Sequence, residues 1–340
     1  MQKSLVIINN EKCVILGSNY FCENIEISSL TKSLSSYFQV TLFARKGTAK
    51  PVHKIFIRNI KIFKNLLFFI FFLVKDLFKK KNKTYLLISI TPFTFLAYIF
   101  ISFFNNRIFL YLRSHGDEEF KYILGSYFFY IYKILLFIMS FKSKLICVNN
   151  KITSNKNFSL IYPSQLDKNW TIKKKLGINK KKLKLLYFGR IKKEKGIYSL
   201  INLYNNINFN FRNILSIVGP GDTIESNNKN IIVKPPLFKR DDIISLYDNN
   251  DIFVLPSFTE GYPQVLIESL SRLKPVIIFN DIKHVKKNYY GIFVAQRTSK
   301  GLKKTILYIK ENYHHIQKKM KQNRLQTHQD FIKSFVRILS

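Results

Sequence analysis

Short apolar, β-branched runs alternate with stretches of helical period along most of this chain. In the first half, LVIIN or CVILG near the start, QVTLFA (39–44), HKIFI (53–57), YLLISI (85–90), RIFLYL (107–112) and KLICVN (144–149) predict strands, with helical patterns around 23–37, 62–80, 93–104 and 118–140. Strands this uniformly apolar are those covered on both faces, so the order describes a doubly wound parallel sheet. A polar, Lys-rich stretch then breaks the alternation and reads as a linker. A second series follows at 183–188, 213–218, 230–233, 251–256, 275–279 and 291–295, and the closing segment from about 300 to 339 reads as helical throughout. The predicted organisation is an N-terminal domain over 1–163, a linker over 164–182, a second domain over 183–315 and a C-terminal helical segment over 316–340. The fold class is α/β: two Rossmann-like domains, with ligand expected in a cleft facing the carboxyl ends of their strands.

Composition sharpens the picture through charge: 56 Lys and Arg stand against 20 Asp and Glu in 340 residues, a formal net charge of +36. The excess is spread over both halves, so it is not a basic tail. It fits attraction to an anionic membrane surface or a Lys- and Asn-rich codon bias. Nucleic-acid binding would call for a recognisable module, and no RNP1-like string, zinc finger or basic-region heptad is present. Three cysteines, Cys13, Cys22 and Cys147, have no C-x-x-C spacing, which argues against a disulfide framework or a zinc site and for a reducing, cytoplasmic setting. The apolar runs at 66–74 and 93–104 fall well short of the ~18–20 residues that a spanning helix needs. No signal peptide is read at the start. The lysines around LLFFIFFLV (Lys61, Lys64, Lys75 and Lys79 to Lys81) are expected to hold anionic lipid without insertion.

Acids are scarce enough to locate one by one, and EGYPQVLIE sets two of them around seven uncharged residues. Its surroundings read as strand, loop, helix and strand, with Pro263 suited to the first helical position. On a helical wheel Leu266, Leu270 and Leu273 share a face, and Glu268 points away from it. Glu260 lies in the loop beyond a strand's carboxyl end, where free N–H groups near Gly261, Tyr262 and Gln264 suit an anion. Two solvated glutamates at a helix start would explain Glu260 but not the Gly-Tyr-Pro turn. Upstream, LLYFGRIKKEKG ends a strand at Gly189 and offers Arg190 and Lys195 to a diphosphate, although a solvated basic loop looks the same. IVGPGD repeats the strand-then-glycine arrangement at Gly219 and Gly221, which is also what an ordinary turn looks like.

These stretches resemble the glycosyltransferases of family 4, whose two Rossmann-like domains form the arrangement called GT-B. The resemblance rests on Gly189-Arg190 with Lys195-Gly196, the IVGPGD turn, Leu246-Tyr247, Leu255-Pro256-Ser257, Glu260 with Glu268 as an E-x7-E motif, and Lys274-Pro275-Val276-Ile277. It is specific over about residues 183–296 and architectural before that. The resemblance implies retaining transfer from a nucleotide-sugar donor to a glycan or lipid-linked acceptor, in surface polysaccharide or lipopolysaccharide assembly, at the inner face of the membrane. It implies no cofactor and no metal, in keeping with the absence of a D-x-D pair. Arg190 and Lys195 would take the diphosphate, the backbone from Gly261 to Gln264 a phosphate, Glu260 the transferred sugar and Glu268 the ribose. His115, in YLRSHGDEEF after a strand, would lie near the donor sugar. Asp117 could instead cap the helix that follows, with Glu118 and Glu119 favouring its dipole. Two departures stand out: Leu273 replaces the family's usual glycine, and the glycine loop after the first strand is reduced to Leu16-Gly17-Ser18-Asn19. A nucleotide-sugar epimerase of the same fold and a basic nucleic-acid-binding protein are the rival readings.

Overall fold

A computed structural model of the protein describes residues 2–47, 52–79, 82–104, 106–172, 174, 176–179 and 181–340. The chain divides into two compact units, the first formed by Met1–Pro163 with Gln329–Ser340 and the second by Ser164–His328.

The first unit is built on strands β1 (Ser4–Leu16), β2 (Asn19–Cys22), β3 (Gln39–Lys46), β4 (His53–Lys54), β5 (Asn59–Phe63), β6 (Thr84–Ile88), β7 (Arg107–Leu112), β8 (Ser143–Cys147) and β9 (Phe158–Leu160). Its parallel core runs β5-β3-β1-β6-β7-β8-β9. Helices α2 (Leu66–Lys79) and α3 (Pro92–Ser102), and the pair α4 (Gly116–Leu124) and α5 (Ser126–Ser140), all cross in the direction from β5 towards β8. The right-handed rule therefore puts them on one face of the sheet. Helix α1 (Ile25–Leu34) crosses in the opposite direction, to the other face. There it meets α11 (His328–Leu339): Tyr111 donates to Glu26 of α1 at 3.1 Å, and its ring packs against Phe335 of α11 at 5.1 Å.

Several local expectations change. HKIFI contributes only His53 and Lys54 as a strand, antiparallel to β2, and the parallel strand follows at β5. The helical pattern over 118–140 is two helices, because Gly125 at φ +108° breaks the continuous turn. The segment at 300–339 is likewise interrupted: α9 (Ser299–Glu311) and α10 (Tyr313–Met320) belong to the second unit, residues 321–327 are not helical, and α11 joins the first unit from Gln329. The start of the 164–182 stretch is docked, not free. Leu166 and Trp170 are buried in the second unit's core, and buried Arg272 donates to the carbonyls of Trp170 and Ile172 while pairing with Asp248. Polar composition concealed this, because what anchors the segment is one indole and two backbone carbonyls. Lys80 and Lys81 lie outside the described residues.

The second unit is a wholly parallel sheet in the order β12-β11-β10-β13-β14-β15, formed by β10 (Lys182–Phe188), β11 (Arg212–Val218), β12 (Ile231–Lys234), β13 (Ile252–Leu255), β14 (Val276–Phe279) and β15 (Ile292–Ala295). Helices α6 (Ile197–Asn205), α7 (Arg240–Asp248) and α8 (Gln264–Ser271) serve the connections. Leu266, Leu270 and Leu273 are all buried, as the wheel predicts. Leu273 sits at φ +56°, with its N–H bonded to the Leu270 carbonyl and the Lys274 N–H to that of Ser269. This is the Schellman closure that a glycine normally makes. The departure therefore leaves the helix end unchanged: the left-handed backbone costs about 1–2 kcal/mol, and burial of the leucine side chain offsets it.

Candidate active site

All strands of the second sheet are parallel, so every loop leaving a strand's carboxyl end lies along one edge. That edge gathers Gly189 and Arg190 after β10, Gly219 after β11, Glu260 to Pro263 after β13, His284 after β14 and Arg297 after β15.

Backbone contacts hold these loops together. The Gly189 N–H donates to the Val218 carbonyl, Ile191 N–H to Pro220, and Asp222 N–H to Ile191. A Cβ on Gly219 would stand 1.9 Å from the Gly189 carbonyl oxygen, and one on Gly221 2.3 Å from that of Ile191. Close backbone packing thus explains both glycines of IVGPGD. Gly189 differs, since a Cβ there would meet only the Tyr187 hydroxyl, at 3.3 Å. Gly219→Ala should therefore destabilise the second unit by roughly 2–4 kcal/mol. Gly189→Ala should melt like the unaltered protein yet bind nucleoside diphosphate more weakly. Thermal melts beside a binding titration check both.

The same zipping joins the loop after β10 to the loop after β13. Gly196, at φ +67°, lets its backbone approach the Pro256 carbonyl where a Cβ would stand at 1.9 Å, and the Phe258 N–H donates to the Glu194 carbonyl. Lys195 is thereby delivered to Glu260, with Nζ and Oε1 2.7 Å apart, and Ser257 Oγ donates to the same oxygen at 2.7 Å. Both side chains of this pair are largely buried. The two groups picked out separately in the sequence, one for a diphosphate and one for a sugar, are direct partners. Arg190 is exposed and lies 3.8 Å from Glu194.

The Glu260 loop is pinned from behind by residues the sequence reading passed over. Arg297 donates to the carbonyls of Pro256 and Ser257, pairs with Asp281, and stacks on the rings of Phe258 and Phe279. An arginine just beyond the carboxyl end of the last strand was the available signal. His284, in the turn after β14, holds the Glu260 carbonyl oxygen at 2.8 Å, and Lys287 lies over the Tyr262 ring.

Helix α8 starts at Gln264, with Pro263 as its N-cap and not its first residue, and no side chain caps it. Glu268 is not a solvated carboxylate. It accepts a 3.0 Å bond from the hydroxyl of Tyr247, a fully buried residue of α7. Burial pushes the Glu268 carboxyl up to about 7, against the pull of that hydroxyl. The wheel placed it opposite Leu266, but a neighbouring helix covers that side.

His115 and Gly17 belong to the first unit. His115 is the residue before α4, and its carbonyl accepts from Glu119 N–H; Asp117 accepts from Glu118 N–H, with all three acids in the first turn. Gly17, at φ +57°, forms the tip of a hairpin between β1 and β2, not a loop leading into a helix. The two candidate first strands, LVIIN and CVILG, are joined through polar Asn9 to Lys12 into the single β1, which ends at Leu16 and folds back, so helix α1 begins only at Ile25, capped by Asn24.

This architecture, two doubly wound units with a carboxylate- and cation-bearing strand edge, is that of the GT-B proteins. Over 99% of both chains it is similar in fold to HepE of Anabaena, solved with UDP and glucose, at a TM-score of 0.71 and 12% identity. Residues 168–327, nearly the whole of the second unit, match the family model described as glycosyl transferases group 1. Curated relatives include the capsular polysaccharide biosynthesis glycosyltransferase CapM of Staphylococcus aureus, 30% identical over 59% of this chain and 60% of that protein. The putative teichuronic acid biosynthesis glycosyltransferase TuaC of Bacillus subtilis is 32% identical over 31% of this chain and 27% of its own length. The matches thus span less than two thirds of either relative.

Proposed function

We propose that the protein is a retaining glycosyltransferase that moves a sugar from a nucleotide-sugar donor to a glycan or lipid-linked acceptor in surface polysaccharide or lipopolysaccharide assembly. The observation that carries this reading is the Lys195–Glu260 pair at the strand edge, with Glu268 on the helix that follows. Lys195 and the uncapped start of α8 suit the diphosphate, Glu268 suits a ribose diol, and Glu260 suits the anomeric centre, where positive charge grows as the diphosphate leaves. His115 and Gly17 are assigned to the acceptor-side unit. The protein works at the inner face of the membrane, which its positive charge favours, and it needs neither cofactor nor metal. The names of CapM and TuaC support the polysaccharide setting.

Product release from a panel of nucleotide sugars, with slow donor hydrolysis in the absence of acceptor, tests the reading. Transfer with the anomeric configuration kept is expected. An epimerase would return an altered sugar with no acceptor extension. If random oligonucleotide outcompeted nucleoside diphosphate, the charge would instead point to nucleic acid.

A further inference from the structure

Helices that cover a sheet normally turn polar residues to solvent, and in the first unit α5 and α2 turn large apolar ones outward as well. On α5 only Tyr132 and Met139 are buried, seven residues apart on the inward side. Facing outward at helical spacing are Tyr127, Tyr130, Ile131, Ile134 and Phe137, continued by Phe141, with exposures from 44% to 85%. Helix α3 packs beside both α5 and α2, and α2 adds Leu67, Phe71 and Phe78 at 76%, 58% and 75%. More than half of the exposed large apolar side chains among the described residues lie between Leu66 and Phe141. No described helix is long and apolar enough to cross a membrane.

The charges around this layer select its partner. Between Glu26 and Asp117 the only acid is Asp76, which pairs with Lys83, and between Glu119 and Asp167 there is none. The three acids of this layer's α4, Asp117 to Glu119, are gathered in its first turn, where Glu118 pairs with Lys121, and elsewhere lysines supply the charge: Lys75 lies over Phe71, Lys133 over Phe129, and Lys142 bonds the Ser102 carbonyl at the end of α3. A second copy of the chain would oppose like charges across such a face. An anionic bilayer satisfies both halves of the pattern, taking the aromatic and aliphatic side chains at its acyl boundary and the ammonium groups among its phosphates.

We propose that the outward face of α5, flanked by α3 and α2, is an interfacial membrane-docking surface that inserts shallowly into anionic lipid. The proposal deepens the membrane setting given above and replaces purely electrostatic contact with insertion. It also offers a reason for the aromatic residues to be where they are: a lipid-linked acceptor is presented at the bilayer surface.

The test uses the full chain with vesicles of phosphatidylcholine alone or with phosphatidylglycerol. Phe137→Trp should shift its emission to the blue and be quenched by brominated acyl chains when phosphatidylglycerol is present; the native Trp170, buried in the second unit, serves as the internal reference. Tyr130→Ser with Phe137→Ser should lower vesicle affinity about tenfold or more and leave the melt and nucleoside diphosphate binding unchanged. Lys133→Glu should weaken binding and flatten its salt dependence. Absence of quenching, or full vesicle binding by the double variant, would overturn the proposal. So would a concentration-dependent dimer abolished by those same substitutions, which would make the face a contact between copies. Loss of nucleoside diphosphate binding by the unaltered protein would instead count against the glycosyltransferase reading alone.

Discussion

Glu260→Gln is expected to cut turnover by about 100-fold or more while nucleoside diphosphate binds at least as tightly as before. An amide oxygen can still accept from Lys195 and Ser257, so the loop keeps its geometry. On the proposed reading, what is lost is the negative charge where an oxocarbenium-like centre would develop, and that loss falls on the transition state more than on the bound donor. Nucleoside diphosphate has no sugar to feel the change, and Lys195, relieved of its counter-charge, attracts the diphosphate slightly more. Lys195→Met is the complement: it should weaken nucleoside diphosphate binding by about 1.5–3 kcal/mol through the lost charged hydrogen bond. Single-turnover kinetics beside calorimetric titration separates the two effects. Unchanged turnover and binding in both variants would reduce the pair to a structural ion bridge.

For Glu268→Gln, opposite effects on stability and binding are expected. With its carboxyl raised from 4.5 to about 7, the folded protein binds more protons than the unfolded chain between those values. The stabilising contribution of the protonated group is therefore complete below about pH 4.5 and lost as pH rises through about 7. At pH 8 the partly buried carboxylate is destabilising, on the order of 2–3 kcal/mol. The Gln variant, still hydrogen-bonded to Tyr247, should melt several degrees higher than the unaltered protein at pH 8, and the gap should close towards pH 5. Donor and nucleoside diphosphate should bind about 10- to 100-fold more weakly, because a ribose diol loses its charged acceptor. In the unaltered protein, binding should likewise weaken as pH falls below about 7. A pH-independent difference in melting temperature would show that the carboxyl is not held protonated by burial.

Periodicity located the sheets well because buried parallel strands announce themselves as continuous apolar runs. RIFLYL is a strand from end to end, and each predicted strand of the second unit falls within a residue or two of its observed bounds. The pairings that govern the site were hidden for a different reason. Tyr247 meets Glu268 across 21 residues, Lys195 meets Glu260 across 65, and Gly219 is fixed by a carbonyl from another loop. Periodicity within one segment cannot report such meetings. Gly17 misled because a glycine after an apolar run fits a hairpin as well as a ligand loop. On α5 the difficulty was of another kind: a helix apolar but for Lys133 and its terminal serines does not show by its own period which face meets the sheet and which is left uncovered.

Helix α11 carries a consequence for biosynthesis. It covers Tyr111, and its Ser340 carbonyl accepts from the side chains of Lys3 and Arg107, yet in chain order the second unit, Ser164–His328, separates it from the rest of the first. A nascent chain therefore emerges with one flank of its leading sheet uncovered and must complete the trailing sheet before that flank can close. Chaperone occupancy on stalled ribosomes should accordingly persist on the leading unit until residues beyond 328 clear the exit tunnel, the reverse of the usual order in which leading domains mature first.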